Sequence, residues 1–408
     1  MAVTESSGLD GIDLTDASVW EQRTPHDWLD RLRAEDPVHW HEEPDGAGFW
    51  ALTRHDDVRQ VSTNPGPYSS WVGGPLRLDL DEDGLQQLRM IIIGMDPPDH
   101  RTFRSIVSKA FTPKVIANLG DSLQAETARV VGELRNRDGC DFVTDVAARI
   151  PMWSISELMG VPPEDRHRLY ELSHALIDDQ DPEVAPTPET RMDASAEIYG
   201  YASEMAARER ANPSDSLTSM LLGAEIEGRK LDDLEFCLFF MFLIVAGNET
   251  TRTASSHGLL TLLDHPDAHA RLVADPSLVP GAVEEMLRWE PPIHHFRRTA
   301  TEDTVVGGQP IAEGDKVIMW YAGANRDPSV FDDPHTFDID RSPNPQLSFG
   351  IGEHFCLGAN LARLSLRLLF TELLATIENV ELAAPPRRLH SNLINGIKEM
   401  QITYDVRG

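Results

Sequence analysis

Cysteine is scarce in this sequence. Among its 408 residues only Cys140, Cys237 and Cys356 occur, and they lie far apart along the chain. Three widely separated cysteines form neither a disulfide framework nor a CxxC zinc site. Such sparse use is typical of proteins in a reducing cytosol. A disulfide-stapled secreted fold is therefore excluded, and each thiol has to be explained separately.

Basic residues and long apolar runs are also few. The chain has 36 lysines and arginines against 67 aspartates and glutamates, so its formal net charge is −31. A nucleic-acid-binding protein needs a dominant basic surface, which this composition disfavours. The longest apolar run, Phe236 to Ala246, is much shorter than the roughly 20 residues that span a bilayer. Because Met1 to Thr15 also lacks a signal-peptide pattern, we expect a cytoplasmic protein without a membrane span.

Most of the chain has the periodicity of helices. Two-residue alternation is confined to short stretches such as 304–306 and 317–320. Residues 1–20 are predicted to form a mobile N-terminal arm, and the glycine-containing stretch from Trp71 to Gly94 a long loop. The sequence therefore predicts one mainly α domain with a minor β portion over residues 21–408.

The stretch from Phe349 to Gly358 gives one thiol a special setting. Its sequence is FGIGEHFCLG, and a helical run from Ala359 to Ile377 follows it. Glycines before the cysteine allow a tight turn, and a helix N-terminus after it favours a thiolate. A thiolate is a soft ligand suited to haem iron, and Gly358 leaves room for a flat macrocycle. The alternative for Cys356 is a buried structural thiol, which leaves the glycine spacing unexplained.

FGIGEHFCLG resembles the haem-binding loop of the cytochrome P450 family, and three further landmarks follow in the family's order. The resemblance covers roughly Pro37 to the end of the chain. It implies a single-domain cytochrome P450 fold, in which haem b lies between a long oxygen-binding helix and the helix after the cysteine loop. It also implies that Cys356 is the metal ligand and that the reaction inserts one atom of O2 into a C–H bond.

The second landmark is the run Ala246-Gly247-Asn248-Glu249-Thr250 in the apolar helix. Gly247 is a poor helix former that costs about 1 kcal/mol relative to alanine, so its presence needs a reason. The alternative for the acid–hydroxyl pair is a surface glutamate and a threonine bonded to its own helix backbone. In the family, small residues at the positions of Ala246 and Gly247 leave room for dioxygen. Glu249 and Thr250 occupy the positions of its catalytic, proton-relaying pair.

The third landmark is Glu285 and Arg288, which are three residues apart and share a helix face. On an ordinary helix this spacing gives a surface salt bridge. The resemblance instead implies a buried structural pair that Arg341 completes, with a role in folding around the haem and not in the chemistry.

The fourth landmark is a set of basic residues for the two haem propionates, which require charge-assisted hydrogen bonds. The alternative for a single histidine is a satisfied surface side chain, but the matches occur in register. The complete predicted cofactor-binding set is His100, Arg104, Ala246, Gly247, Arg298, Phe349, His354, Cys356 and Gly358.

Electrons have to come from another protein, since the sequence shows no flavin or nicotinamide module. The resemblance implies a ferredoxin and a ferredoxin reductase. Ferredoxins are typically acidic, as this chain is, so we expect a local basic patch to steer the partner. Its candidate residues are Arg101, Arg104, Lys109, Lys114, Arg363 and Arg367.

The predicted substrate is a lipophilic small molecule. His294, His295 and Asn392 are candidates for orienting one polar group of it, and the acidic loop segment from Leu80 to Gln87 is expected to reshape the pocket mouth. The apolar residues expected to line the pocket are Trp71, Val72, Leu76, Ile91, Ile92, Met241, Val245, Ile293, Phe296, Leu393 and Ile394.

Local strings around Asn248 and Asn395 resemble a bacterial branch that hydroxylates sterol side chains and methyl-branched lipids. Terpene hydroxylases are the alternative within the family. A haem-binding sensor and a peroxide-driven peroxygenase are the alternatives from other classes. Both are disfavoured, because neither explains the Glu249–Thr250 pair.

Overall fold

The computed structural model describes residues 9, 11–44, 46–176, 181–184, 187–226 and 229–408. Helices account for most of this part of the chain, as predicted. They are α1 (Ala17–Gln22), α2 (His26–Glu35), α3 (His55–Thr63), α4 (Glu82–Arg89), α5 (Asp99–Val107), α6 (Pro113–Gly132), α7 (Arg149–Met159), α8 (Arg166–His174), α9 (Pro188–Ala211), α10 (Leu217–Gly223), α11 (Asp233–Asp264), α12 (Pro266–Ala274), α13 (Val279–Trp289), α14 (Tyr321–Ala324) and α15 (Ala359–Thr376).

The strands are short. They are β1 (Val38–His41), β2 (Phe49–Leu52), β3 (Tyr68–Ser69), β4 (Gly139–Asp141), β5 (Glu225–Ile226), β6 (Arg229–Lys230), β7 (His295–Ala300), β8 (Thr304–Val306), β9 (Gln309–Ile311), β10 (Lys316–Trp320), β11 (Ile377–Leu382), β12 (Arg387–Arg388), β13 (Ile397–Glu399) and β14 (Gln401–Val406). The largest sheet has the order β1-β2-β10-β7-β3. Its strand β10 runs parallel to β2 and antiparallel to β7.

Helix α11 is the long apolar helix at the centre of the molecule. It begins with a capping box, in which Asp232 and Glu235 each bond the other's backbone N–H. It packs against α7, α8, α9, α13 and α15. Within the described ranges, α11 is the helix long and apolar enough to cross a membrane, but 56% of its apolar window is buried inside the protein. Burial on several sides is typical of the core helix of a globular domain.

The prediction of a long loop from Trp71 to Gly94 is wrong in its second half. Residues Glu82–Arg89 form α4, and a 3₁₀ turn covers Ile92–Gly94. The acidic segment from Leu80 to Gln87 is thus mostly helical. Asp81 caps this helix by accepting the Gly84 N–H, and acidic residues in the first turn favour its dipole. The helix is short and has no buried residue, and its acidic, glycine-containing sequence is typical of a loop.

The predicted N-terminal arm is also partly wrong. Residues 1–8 and 10 lie outside the described residues. Leu14 and Trp20, however, are buried, and the Trp20 ring stacks on Trp320 at a centroid distance of 4.9 Å. The second half of the segment therefore packs on the domain, because its apolar side chains cover the outer face of the large sheet.

Candidate active site

The cysteine loop has the tight geometry that its glycines predict. Gly350 and Gly352 have φ angles of +66° and +79°, a region that side-chain-bearing residues rarely adopt. The Cys356 N–H donates to the Phe349 carbonyl at 2.8 Å, and the Phe355 N–H donates to the Gly352 carbonyl at 3.1 Å. The loop is thereby closed on itself just before α15 begins.

Of the three cysteines, Cys356 is the one that lines a cavity of about 370 Å³. Cys140 and Cys237 are buried elsewhere, and burial raises their pKa values to about 12 and about 11. Both are therefore protonated, inert thiols at neutral pH. The alternative reading as structural thiols fits these two residues and not Cys356.

The environment of the Cys356 thiol contains opposing influences on its pKa. Burial raises the pKa of Cys356, whereas the backbone N–H groups of Gly358 and Ala359 lower it. The guanidinium groups of Arg104 and Arg363 lower it further. A metal cation adds the strongest stabilisation of a thiolate, so the site suits a thiolate bound to a metal better than a free one.

The predicted propionate residues line the same cavity. His100 is fully buried, and neither of its ring nitrogens has a hydrogen-bond partner among the described residues. Its ring lies 4.3 Å from that of His354, and Arg104 and Arg298 also line the cavity. The nearest acidic partner of His100 is Glu353, at 3.9 Å. Buried donors and cations without a protein carboxylate at hydrogen-bond distance fit the two carboxylates of haem b.

Two neighbouring arginines are told apart by strand alternation. Arg298 lines the cavity, whereas Arg297 lies on the opposite face of β7 and pairs with Asp79 at 2.7 Å. Burial lowers the pKa of Arg298, which has no carboxylate partner at salt-bridge distance within the described residues. Arg298, which was predicted to bind the haem, therefore lies on the cavity side of the strand.

Gly358 and Gly247 have different surroundings. A Cβ atom added to Gly358 meets no protein atom within 4 Å, so the cavity reaches its backbone. A Cβ atom added to Gly247 lies 3.0 Å from the Ile155 side chain. Gly247 therefore lets α11 approach α7 closely, which explains its place in the helix. Both glycines, together with Ala246 and Phe349, line the cavity as predicted.

Glu249 and Thr250 both line the cavity. The Thr250 hydroxyl donates to the Ala246 carbonyl one turn earlier, at 3.0 Å. Glu249 is buried and forms an ion pair with the buried Arg252. Its second oxygen, Oε2, has no hydrogen-bond partner among the described residues. Glu249 is therefore not a surface glutamate, and Arg252 is a neighbour that the sequence interpretation missed although its i+3 spacing was visible.

The predicted ExxR cluster is confirmed. Glu285 and Arg288 are fully buried and joined by two hydrogen bonds, of 2.7 and 2.8 Å. The Arg341 Nε lies 3.2 Å from Glu285. Asn344, which was not predicted, also donates to Glu285 at 3.0 Å.

The pocket prediction is right for the residues nearest the cavity and wrong for those farther out. Ile92, Val245, Ile293, Phe296, Leu393 and Ile394 line the cavity, whereas Trp71, Val72, Leu76, Ile91 and Met241 do not. The residues that the sequence interpretation missed include Ile93, Ile155, Phe242 and Leu243. Helix α4 and its flanking turns carry the Trp71 region away from the cavity, and Phe242 replaces Met241 because one residue rotates a helix position by about 100°.

The polar residues proposed to orient the substrate do not reach it. His294 packs against Trp20 with ring centroids 4.3 Å apart, and His295 packs against Trp320 at 4.5 Å. Asn392 donates to the Leu14 carbonyl at 3.1 Å. His294 and Asn392 therefore face the N-terminal segment, and His295 faces Trp320. These contact partners lie far away in sequence, so no local pattern predicts them.

The predicted basic patch is partly neutralised. Arg363 pairs with Glu284 at 2.6 Å, and Arg101 pairs with Glu353. Arg104 is half-buried and donates to the Glu353 and Phe355 carbonyls. The side chain of Lys109 lies outside the described residues. The patch therefore carries less free positive charge than the residue count predicts.

Known proteins resemble this chain along most of its length. A family model for cytochrome P450 matches residues 186–403. A steroid C26-monooxygenase of Rhodococcus jostii is 37% identical over 99% of this chain and 87% of its own length. A linalool 8-monooxygenase of Pseudomonas putida is 36% identical over 96% of this chain and 98% of its own. A Mycobacterium marinum cytochrome P450 solved with pseudoionone has a TM-score of 0.90 at 36% identity, covering 98% of this chain and 100% of that one.

These similarities agree with the local chemistry. The cavity has a thiol on one side, buried cations and histidines for two carboxylates, and a glycine backbone open to a flat group. Haem b with a cysteine thiolate as axial ligand is the cofactor, and the reaction is the monooxygenation of a lipophilic substrate with O2. The chain belongs to the cytochrome P450 family.

Proposed function

We propose that the protein hydroxylates a C–H bond in the side chain of a neutral, sterol-sized lipophile. The observation that carries the proposal is the character of the cavity on the α11 side. Its walls there are made of apolar side chains, and among the described residues no lysine or arginine lines the cavity besides Arg104 and Arg298, which are proposed to bind the propionates. The apolar residues concerned are Ile92, Ile93, Phe242, Leu243, Val245, Ile293, Phe296, Leu393 and Ile394.

Two of the serine hydroxyl groups along the cavity are already engaged. Ser154 donates to the Ile150 carbonyl at 2.8 Å, and Ser348 donates to the Leu287 carbonyl at 2.6 Å. A buried carboxylate without a partner costs several kcal/mol. A substrate carboxylate in this cavity would meet the Glu249–Arg252 pair, whose cation is already compensated. An apolar molecule with at most a neutral polar group is therefore the better fit.

Each residue that matches a family landmark then has a proposed role. Cys356 holds the iron, and His100, Arg104, Arg298 and His354 bind the propionates. The bound haem supplies the dioxygen-activating chemistry of the family. The remaining tasks belong to the protein: the apolar walls exclude water and orient the substrate. Glu249 and Thr250 are proposed to deliver protons to the reacting centre from the buried polar side of α11.

A terpenoid is the second candidate substrate. The observation that favours it is the 0.90 TM-score with a cytochrome P450 that was solved with pseudoionone bound. The linalool 8-monooxygenase similarity points in the same direction. Sterol and terpenoid both satisfy the demand for a neutral lipophile, and they differ in the size that the cavity must accept.

Electrons are proposed to come from a ferredoxin and its reductase in the cytoplasm. The three free thiols of the chain support a reducing compartment. Because Arg101 and Arg363 are paired with acidic neighbours, we expect docking to depend on shape and apolar contact as well as on charge. Phe355, which is 39% exposed beside Cys356, is a suitable apolar contact.

The test is a ferric spin-state titration of the purified holoenzyme. The ligands are cholesterol, pseudoionone, and the matched pair hexadecanol and hexadecanoate at pH 8. We expect a saturable low-to-high-spin shift with cholesterol, and hexadecanol binding at least about tenfold more tightly than hexadecanoate. Tighter binding of hexadecanoate would contradict the neutral-substrate proposal, and a shift with pseudoionone alone would favour the terpenoid.

Adjacent residues of α11 offer a matched control for the cavity itself. Phe242 lines the cavity and Met241 does not. Phe242→Ala should therefore change the cholesterol dissociation constant by about tenfold or more, whereas Met241→Ala should leave it within about twofold. Equal effects of the two substitutions would mean that the lining is wrongly assigned.

A further inference from the structure

Asn395 is a buried junction just outside the cavity. Its backbone N–H donates to the Pro292 carbonyl at 3.0 Å, and its carbonyl accepts from the His257 Nε2 at 2.7 Å. Its side-chain Nδ2 donates to Glu290 at 2.9 Å, and its Oδ1 accepts from Arg388 at 3.3 Å. The residue is only 3% exposed, and each of its polar groups forms a hydrogen bond within the protein.

The bonds of Asn395 join the two segments that form one wall of the cavity. Ile293 and Ile394 face each other as an isolated antiparallel bridge, and both line the cavity. Pro292 precedes the first of them and Asn395 follows the second. Asn395 does not line the cavity. Its hydrogen bonds therefore act on the substrate only through the position of these two apolar side chains.

Glu290 has two further partners in the N-terminal part of the chain. Its carboxylate accepts from the Thr24 hydroxyl at 2.8 Å and from the His26 Nε2 at 3.2 Å. Burial alone raises the pKa of Glu290, but the histidines and Arg388 around it hold the pKa well below its usual value. The group is thus a permanent acceptor. His257, on the central helix α11, fixes the junction from the opposite side.

We propose that Asn395 is a specificity-determining positioning residue. Through Glu290 and Pro292 it sets the spacing of the Ile293 and Ile394 side chains, and thereby decides which C–H bond of the substrate lies nearest the reacting centre. The inference rests on the proposed function, because the substrate has to occupy this cavity.

The test compares three variants of the holoenzyme. Asn395→Ala removes the side-chain bonds, and Asn395→Asp brings a second carboxylate against Glu290. In the double variant Glu290→Gln/Asn395→Asp the amide and the carboxylate exchange places, so that their hydrogen bond is restored. Thr24→Val is the matched control, because it removes another hydrogen bond of the same Glu290 carboxylate with almost no change in shape.

Two readouts are measured on each variant. One is the ratio of hydroxylated regioisomers from pseudoionone, which has several inequivalent carbon atoms. The other is amide hydrogen exchange in segments 291–295 and 392–396, which does not depend on turnover. We expect both single variants to change the regioisomer ratio by about fivefold or more, since small displacements strongly alter reactivity, and to exchange faster in these segments. The double variant should return toward the wild-type values, and Thr24→Val should keep them.

Unchanged ratios and exchange in both single variants would overturn the proposal, as would an equal change in Thr24→Val. If Asn395→Ala fails to take up haem, Asn395→Asp and the double variant decide the question. If the wild-type enzyme does not oxidise pseudoionone, the terpenoid candidate fails, and the exchange pattern still tests Asn395.

Discussion

Glu249 is a buried carboxylate that is paired with an arginine and also lines the cavity. It is buried inside the central helix, and it keeps its charge balanced by Arg252 three residues later. One carboxylate oxygen remains without a partner among the described residues, while the side chain lines the cavity. This arrangement suits an acid that has to move between a polar interior and a reacting centre.

Replacing Glu249 by glutamine should impair proton delivery without closing the cavity. An amide of the same size cannot exchange a proton as a carboxylate does, so we expect kcat to fall by about 100-fold. More of the consumed dioxygen should appear as hydrogen peroxide, which is measured beside product in the same assay. An unchanged kcat and peroxide yield would remove Glu249 from the proposed relay.

Arg252 should matter for stability, because it neutralises a buried charge. Removing one partner of a buried ion pair is expected to lower the free energy of unfolding by about 3 kcal/mol. Arg252→Met should show this loss in denaturant unfolding, and Glu249→Gln/Arg252→Met should recover much of it. Arg129→Met is the control: Arg129 is half-exposed and pairs with Glu126 and Glu133, so its loss should amount to less than about 1 kcal/mol. An equal loss in both single variants would contradict the buried-pair interpretation.

The role of a residue can be predicted where a local sequence pattern determines its surroundings. It cannot be predicted where a segment distant in sequence determines them. Cys356 and Glu285 are revealed by their spacing to glycines and to Arg288. His294 and His295 follow Ile293 in sequence, and that position predicts pocket residues. Their surroundings are instead determined by Trp20 and Trp320, and no local pattern predicts that contact.

At the level of elements, the cysteine loop and the start of α15 contain two glycines that differ in φ angle and in the space beside them. Gly352 has a positive φ angle, and a Cβ atom there would lie 2.5 Å from the Ser62 carbonyl oxygen. Gly358 has an ordinary φ angle of −84° and free space beside it. The first glycine is needed for the fold of the loop, and the second is proposed to leave room for the cofactor.

This difference predicts separate effects for two substitutions. Gly358→Val should lower the haem content of the purified protein, because its side chain enters the space that the macrocycle uses, yet the free energy of unfolding of the haem-free chain should change by less than about 1 kcal/mol. Gly352→Ala should destabilise the haem-free chain by about 2 kcal/mol through strain and overlap. Haem absorbance per protein and denaturant unfolding separate the two. Full haem occupancy in Gly358→Val would contradict the assignment of this space.

Helices α11 and α15 were predicted correctly because they are long and rich in apolar residues. Most of α11 is buried against other helices, as is typical of a core helix that is apolar on all sides. Helix α4 has no buried residue, and its acidic, glycine-containing sequence resembles a loop. Its N-terminus is stabilised by the Asp81 cap and by acidic residues in the first turn. These features are harder to recognise in a sequence than a long apolar run.

For the whole molecule, acid sensitivity follows from buried histidines. Burial lowers the pKa of His257 to about 4 and of His295 to about 3, and lowers that of His294 well below its usual value. An unfolded histidine titrates at about 6.5. Below that pH the unfolded chain binds more protons than the native one, so stability falls as the pH falls.

We therefore expect the free energy of unfolding to decrease between pH 6.5 and 5 by about 2 kcal/mol for each of these histidines. Denaturant unfolding at a series of pH values measures the slope, in about 0.5 M salt to screen the acidic surface. His167 is exposed, and His167→Gln should leave the slope unchanged. A flat profile over this range would contradict the neutral, buried state of the three histidines.

The fold of the whole chain was predictable because four landmarks occur in the order of one family. The substrate was not, since its recognition depends on side chains from segments far apart in sequence, such as Phe242, Ile293 and Ile394. Trp71, Val72 and Leu76 were wrongly predicted to line the cavity. In that segment the path of the backbone determines which side chains face inward.

Turnover with isotopically labelled dioxygen tests most directly whether the protein is a Cys356-dependent monooxygenase. The holoenzyme is supplied with ferredoxin, ferredoxin reductase and reduced nicotinamide, with cholesterol or pseudoionone as substrate. We expect a hydroxylated product that carries one labelled oxygen atom, and no such product from Cys356→Ser. A product whose oxygen comes from water, or turnover that proceeds with hydrogen peroxide but not with dioxygen and the electron donors, would contradict this expectation.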